Sequence, residues 1–304
     1  MSASNGRPSL ALITPARNEA ANLPRLIEAM IAQTVRPVSW LIVNDGSTDD
    51  TAAVVERYLQ ANSWITLLNL PAVRERSFAA KATCFMEGYR QLGTTADLVG
   101  NLDADVSFDP DYLEFLIDRF ADDPTLGVAG TPFTEPGYDS TKDSFEGDTH
   151  VAGGCQLFRR ECFDAIGGYR PSPIGVDWIA VTTARSKGWR TRSFAEKSFS
   201  HHRPLGTAGR SQWRAWFLYG QKDYLLGWHP LYELARLVFQ SMRKPMAGAC
   251  IGAGYISASV RRPGRVLSDE LVKFHRAEQM AKLRTVTSRL VRLRPVDSFS
   301  TSQQ

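Results

Sequence analysis

The amino-acid sequence predicts an α/β fold: a doubly wound, mostly parallel sheet flanked by helices, with a helical extension at its C-terminal end. Three observations carry that prediction. Short apolar runs alternate with segments of helical period through most of the chain. Polar clusters holding Asp45, Asp103 and Asp105 follow directly on apolar runs, where open α/β sheets place their ligand groups. Basic residues concentrate at the C-terminal end, from Arg261 onward. The chain has 304 residues, 43% hydrophobic and 22% charged, which is ordinary globular usage. That suits one large α/β domain over residues 8–230, a basic helical extension over 231–294 and a disordered tail over 295–304.

The elements follow in order. Leu10–Ile13 is an apolar strand running into Thr14 and Pro15. Asn22 and Pro24 signal a helix start, and Leu26, Ile27, Met30 and Ile31 recur at helical spacing. Trp40–Val43 is the second strand; behind it Gly46 supplies a turn and Ser47 or Thr48 a helix cap. Val54, Val55, Tyr58 and Leu59 carry the next helix, and Ile65–Leu68 is the third strand. A loop with Arg74 and Arg76 leads to a helix over about 78–92 that contains Lys81. Leu98–Leu102 is a strand ending at Asp103 and Asp105, followed by a Pro-led helix start at Asp109 and Pro110. Leu126–Gly130 reads as a strand and residues 131–150 as a polar loop. Val151–Phe158 turns from small to apolar, and the helix opening at Arg159 stops at Gly167 and Gly168. Asp177 sits in the first turn of the next helix, and Trp189–Phe194 leads to His201 and His202.

Asp103 and Asp105 are the most informative pair. Two carboxylates at the end of a buried strand are costly unless a cation meets them, and neither has a Lys or Arg neighbour in sequence. A hard divalent metal carrying phosphate oxygens answers that need; solvated turn aspartates are the bland alternative. A calcium loop starting at Asp103 fails, because Phe108 stands at the sixth place, which needs Gly, and because the upstream run reads as a strand. A dinucleotide fold fails too: no glycine follows the first strand, and Gly252 and Gly254 suit close packing in an apolar helix. Taken alone, Asp177 reads as a helix-dipole partner.

Cys84, Cys155, Cys162 and Cys250 show no metal or disulfide spacing and read as reduced, buried thiols of a cytoplasmic protein. No charged and apolar leader opens the chain, so no secretory signal is expected. The net charge of +4 hides an asymmetry: Arg261–Arg294 holds ten Lys/Arg against three acids, a net of +7. Apolar Leu271, Phe274, Met280, Leu283, Val286, Leu290 and Leu293 interleave with those cations. A basic amphipathic helix on an anionic membrane surface and a helical clasp both fit this pattern. The first would put the protein at the inner face of the cytoplasmic membrane. No nucleic-acid module or aromatic-interleaved basic platform is present, so no nucleic-acid partner is expected.

In this order, Thr14–Glu19, Val43–Asp49, the Lys81 helix, Leu102–Asp105, Gly153–Arg159, Ile166–Tyr169 and Asp177 resemble the motifs of the family 2 glycosyltransferases, which have the A-type nucleotide-sugar fold. The resemblance covers about residues 8–230 and implies inverting, metal-dependent transfer from a nucleotide-diphosphate sugar to an acceptor hydroxyl or amine. The acceptor would be a glycan or a lipid-linked precursor. The resemblance implies that Asp45 binds the base or ribose and that Thr14, Pro15, Arg17 and Glu19 line that pocket. Arg74, Arg76 or Lys81 would approach the diphosphate. Asp103 and Asp105 match the motif for Mg²⁺ or Mn²⁺, and Asp177 matches the catalytic base. Some members complete the metal shell with a late histidine; His202 is taken for that role, with His201 the alternative.

Three features depart from the family pattern. Val176 precedes Asp177 where another acid is usual. The signature of processive synthases is only partly echoed over residues 209–216, so addition of one or few sugars is expected. The apolar run Pro245–Val260 is too short and glycine-rich to span a bilayer. An inactive nucleotide-sugar-binding protein and a sugar nucleotidyltransferase are the rival functions; the second would want an N-terminal glycine-rich phosphate loop, which is absent.

Overall fold

Strand β1 (Leu10–Ala16) is buried along its length except at Pro15, as a strand covered on both faces must be. The computed structural model describes residues 6–71, 78–135, 138–143, 147–203 and 212–291. After β1 come α1 (Leu23–Ile31), β2 (Ser39–Asp45), α2 (Thr51–Leu59), β3 (Ile65–Leu70), α3 (Phe78–Gln91) and β4 (Leu98–Leu102). Next are β5 (Val106–Ser107), α4 (Tyr112–Asp122), β6 (Leu126–Gly130), β7 (Phe133–Glu135), β8 (Tyr138–Asp139) and α5 (Ser140–Asp143). β9 (Cys155–Arg159), α6 (Arg160–Ile166), α7 (Val176–Ser186), β10 (Arg190–Ser193) and β11 (Phe199–His201) complete the first of two compact units.

Seven strands form one sheet in the order β10-β6-β9-β4-β1-β2-β3, parallel except for β9, which runs antiparallel to β4 and β6. Successive residues of a strand point to opposite faces, and the core divides accordingly. Leu12, Ile42 and Leu98 pack with Leu26, Ile27 and Phe120 on one face. Ile13, Val43 and Val99 pack with Phe85, Phe163 and Val181 on the other. The chain moves outward from β1 to β3, then returns to lay β4 on the other side of β1. That reversal opens a crevice at the carboxyl ends of β1 and β4.

Two local expectations change. Residues 133–143, read as loop, contribute β7, β8 and α5, and a second sheet forms in the order β5-β11-β7-β8. Strands of two or three residues carry too little alternation to be seen in sequence. Asn22 stands at the N-cap of α1 but makes no cap bond; its amide donates to the Glu19 carboxylate at 2.8 Å.

The second unit holds α8 (Gln212–Leu225), α9 (Pro230–Arg243), α10 (Pro245–Arg261) and α11 (Asp269–Val291). α8 thus groups with the later helices, ahead of the boundary expected at 230. Helices α8 and α10 cross at Gly220 and Gly254: a Cβ on Gly220 would fall on the Ile251 carbonyl, and one on Gly254 on that of Phe217. Arg236 is buried among Asp223, Glu233 and the Trp228 ring, with Nη2 2.9 Å from Glu233 Oε1 and the guanidinium 4.5 Å from the ring centroid. α11 packs back on the α8–α9 turn, where His229 N donates to Gln279 Oε1 at 2.7 Å and Arg276 Nε to the Gly227 carbonyl at 2.8 Å. No helix among the described residues is long and apolar enough to cross a membrane. The expected disordered tail, residues 295–304, lies outside the described residues.

Two of the three glycines of α10 should respond in opposite ways to alanine. Gly254→Ala drives a methyl into backbone and should cost about 1–3 kcal/mol or more. Gly252→Ala meets only Leu237 side-chain carbons, the nearest at 3.4 Å, and should be neutral or stabilising by about 0.5–1 kcal/mol. Urea unfolding of the two variants checks the contrast.

Candidate active site

The rim of the crevice is built by two loops locked together after β1 and β2. Asn18, held at φ 57°, donates from its backbone to Ser47 Oγ at 2.9 Å and accepts from the Thr48 N–H at 2.8 Å. The backbones of Glu19 and Ala20 donate to Thr51 Oγ1 at 2.9 Å and Asp49 Oδ2 at 3.1 Å. Ser47 and Thr48, expected to cap a helix, are used in this seam, and Asp50 takes the N-cap position of α2.

Asp45 ends β2, buried, with Arg17 Nη1 3.7 Å from its Oδ2. Glu19 is also buried and receives Arg203 Nη2 at 2.6 Å. Pro15 is half-buried beside them in sequence. Thr14 does not present its hydroxyl to the crevice: it is fully buried and accepts from Trp40 Nε1 at 2.9 Å. Its role is to fix β1 against β2. Arg74 and Arg76 lie outside the described residues.

Just past β4, Asp103 accepts at Oδ1 from Lys81 Nζ at 2.5 Å and from Asn101 Nδ2 at 3.0 Å. Burial alone would depress the Lys81 ammonium, but Asp103, then Asp177 and Asp105, raise its pKa on balance. Asp105 is carried into β5, and the second sheet pairs Val106 with His201. That pairing sets His201 Nε2 3.3 Å from Asp105 Oδ1, while His201 Nδ1 lies 3.3 Å from Glu135 Oε1 on β7. Arg203 Nε adds a cation 3.6 Å from Asp105 Oδ2. Burial opposes charge at both ends of the Asp105–His201 pair, yet the mutual attraction wins: the imidazole's pKa is raised and the carboxyl's lowered.

One ligand atom each from Asp103, Asp105 and His201 lies within 4.8 Å of the others. Two carboxylate oxygens and an imidazole nitrogen at that spacing fit a divalent cation, Mn²⁺ more readily than Mg²⁺ because of the nitrogen. His202, the expected metal partner, points elsewhere and hydrogen-bonds Ser107 Oγ at 2.8 Å. Its pKa is lowered, by burial first and then by Arg25. His201 ends β11 and His202 lies just beyond it, so the pairing with Val106 turns only His201 to Asp105.

Asp177 lies in the first turn of α7, after Gly175 in the left-handed region. It is held by proximity to Gly153, where an added Cβ would stand 2.9 Å from both Asp177 Cβ and Oδ2. The same glycine pair links back to Asp103: Asn101 Nδ2 donates to the Gly153 carbonyl at 2.6 Å, and Asp103 N to that of Gly154 at 2.8 Å. The crevice therefore gathers the motif aspartates through backbone that no side chain could occupy. Sequence reasoning passed over Arg203, Glu135 and Asn101. Arg203 had a signal, a cation directly behind the histidine pair; Glu135, on a three-residue strand, had none.

Residues 11–144 match the sequence profile of glycosyl transferase family 2. Over 127 residues the chain is 30% identical to a hyaluronan synthase of Pasteurella multocida, covering 42% of this chain and 12% of that protein. It is 32% identical over 140 residues to a 4,4'-diaponeurosporenoate glycosyltransferase of Staphylococcus aureus, covering 46% of this chain and 34% of that one. The chain thus spans a minor part of these curated relatives. Among solved structures, a mannosyltransferase from Pyrobaculum calidifontis in complex with GDP-mannose and Mn²⁺ superposes with a TM-score of 0.59 at 19% identity, covering 93% of this chain and 84% of that one. Residues 11–144 thus carry the profile of glycosyl transferase family 2, and the sheet order with the likeness to the mannosyltransferase gives this chain the A-type glycosyltransferase fold.

Proposed function

We propose that this protein transfers a sugar from a nucleoside-diphosphate donor to an acceptor hydroxyl or amine, with inversion. One observation carries the reading: Asp103, Asp105 and His201 converge within 4.8 Å at the switch point of the sheet, with Lys81 bonded to Asp103 and attracted by Asp177. The structural neighbour solved with GDP-mannose and Mn²⁺ supports the donor class. Asp45 accepts from ribose hydroxyls or a base N–H, and Arg17 and Pro15 flank it. Asp103, Asp105 and His201 hold Mg²⁺ or Mn²⁺, which when bound supplies charge neutralisation for a leaving diphosphate. Lys81 and Arg203 bring fixed positive charge to the same diphosphate. Asp177 takes the proton of the acceptor on the face opposite the leaving group.

Transfer of one or few sugars follows from the incomplete processive signature over residues 209–216. The acceptor is a glycan or lipid-linked precursor, as the relatives' names suggest for neighbouring chemistry. Four cysteines outside any disulfide suit a reducing compartment, and we place the reaction in the cytoplasm.

Asp105→Ala and His201→Ala should each abolish the Mn²⁺-dependent stabilisation by nucleoside diphosphate, about 2.7 kcal/mol at a hundred-fold excess over Kd. His202→Ala should keep it. A thermal-shift panel of UDP, GDP and dTDP with and without Mn²⁺ checks this; equal retention in all three variants would remove the metal assignment.

Asp177→Asn should leave donor binding intact and lower turnover by about 10²-fold or more. Gly153→Ala should reproduce that loss, because displacing a catalytic carboxylate by about 1 Å costs a similar factor. Initial rates with each variant, alongside its nucleotide affinity, separate this from a binding defect.

A further inference from the structure

The second unit leaves an apolar surface uncovered where α9 and α10 lie side by side. Leu231, Leu234, Val238 and Met242 of α9 are 57%, 58%, 58% and 81% exposed. On α10, Met246, Ile256 and Val260 are 56%, 64% and 76% exposed, and the exposed Ala249 and Ala253 fall between them. Large aliphatic side chains this exposed are ordinary when scattered, but a contiguous set marks a contact surface.

Helical geometry makes them one face. A Cβ on Gly248 would touch Ser241 and one on Gly252 Leu237, so the two helices run antiparallel along that seam. At 3.6 residues per turn, both exposed sets stand about a quarter turn from the seam. In an antiparallel pair, that rotation turns both to the same side. The opposite side of α10 is committed inside the unit, with Ala247, Gly248, Ile251, Gly254 and Ala258 buried. A helix so anchored lies on a surface and does not cross it.

The charge around this face has one sign. From Pro230 to Leu267 the sequence holds six cations and a single acid, Glu233. That acid is buried against Arg236 and cancels it. Lys244 at one end of α10 and Arg261 and Arg262 at the other are exposed, so cations bracket the apolar line. Exposed aliphatic residues flanked by Lys and Arg fit an anionic bilayer surface, the side chains entering the acyl boundary and the cations meeting headgroups. A second copy of this chain fits less well: a twofold contact through the face would set its cationic ends against one another.

We propose that the α9–α10 face docks this protein on an anionic lipid bilayer. α11 carries much of the basic charge but buries Val272, His275, Gln279 and Val286 within its own unit. It assists by charge alone. The proposal does not depend on the transferase reading, and nucleotide binding is read in parallel so that the two fail separately.

The test uses the full chain and flotation with vesicles of phosphatidylcholine, with and without phosphatidylglycerol. The protein is expected to float with the anionic vesicles and to release as salt rises, since the screening length shrinks from about 10 Å at 0.1 M to about 3 Å at 1 M. Val238→Asp and Ile256→Asp should each weaken binding about tenfold or more, the loss from keeping one such side chain in water. Val238→Ser and Ile256→Ser, milder at exposed sites, should weaken it in the same order. Lys273→Gln with Arg284→Gln on α11 should weaken it only slightly. All variants should keep the wild-type circular dichroism and Mn²⁺-dependent nucleotide shift. No flotation by the wild-type chain, or undiminished flotation of the α9 and α10 variants, would overturn the proposal. So would a wild-type dimer in sedimentation equilibrium that these variants dissolve while vesicle binding is unchanged.

Discussion

Carboxylate crowding is the constraint on which the first unit depends. Glu19, Asp45, Asp105 and Glu135 are buried or nearly so, with Asp103 and Asp177 beside them at the same rim of the sheet. Like charges so placed would repel and lose hydration together. Cations answer from several separate elements: Arg17 from the first loop, Lys81 from α3, and His201 and Arg203 from β11 and just beyond it. Those elements are far apart in sequence, so the crevice forms only when the whole unit has folded. In the proposed reaction a divalent ion and a diphosphate enter this balance, and they take over contacts that Lys81, His201 and Arg203 now make.

Glycines set the geometry within which that balance is struck. Gly100 lets side chains of both neighbouring strands close over β4, since a Cβ there would fall on Leu157 Cδ2 of β9 and sit 2.7 Å from Leu12 Cδ2 of β1. Gly153 then leaves room for Asp177, and Gly154 for the Phe199 ring at 2.9 Å. Charge alone would not bring a helix terminus carrying Asp177 this near Asp103. The missing side chains permit it, and the Asn101 and Asp103 hydrogen bonds to the Gly153 and Gly154 carbonyls hold it.

Much of this was legible in the chain itself. β2 and β4 announce themselves as apolar runs leading into acids, and β1 as one leading into Thr14 and Pro15, because burial on both faces demands continuous hydrophobicity. The aspartates at 45, 103, 105 and 177 could be placed at element ends for the same reason. Less legible was anything decided by one residue of register. His201 ends a three-residue strand and His202 is the next residue, and Val106 selects the first for Asp105 by pairing with it. Thr14 looked available from its place after an apolar run, yet the strand extends to Ala16 and turns its hydroxyl to Trp40. Glu135 enters the site through a tertiary contact that no local pattern encodes.

The C-terminal unit shows the limit of charge patterning more sharply. Cations interleaved with apolar residues over 261–294 fitted a membrane-facing helix and a packed clasp alike. α11 spends its apolar side on the α8–α9 turn, with Val272 against Gly227 and His275 near the Trp228 ring at 5.8 Å. The exposed apolar surface falls to α9 and α10, whose inner faces are already used by the Gly220–Gly254 crossing and the buried Arg236 cluster. A helix has a fixed circumference, and a close glycine crossing confines its packing to a narrow strip. When Leu, Met, Ile and Val also occupy the remaining arc, surface is left for which the unit itself supplies no cover. That excess is the surface the proposed bilayer contact would cover.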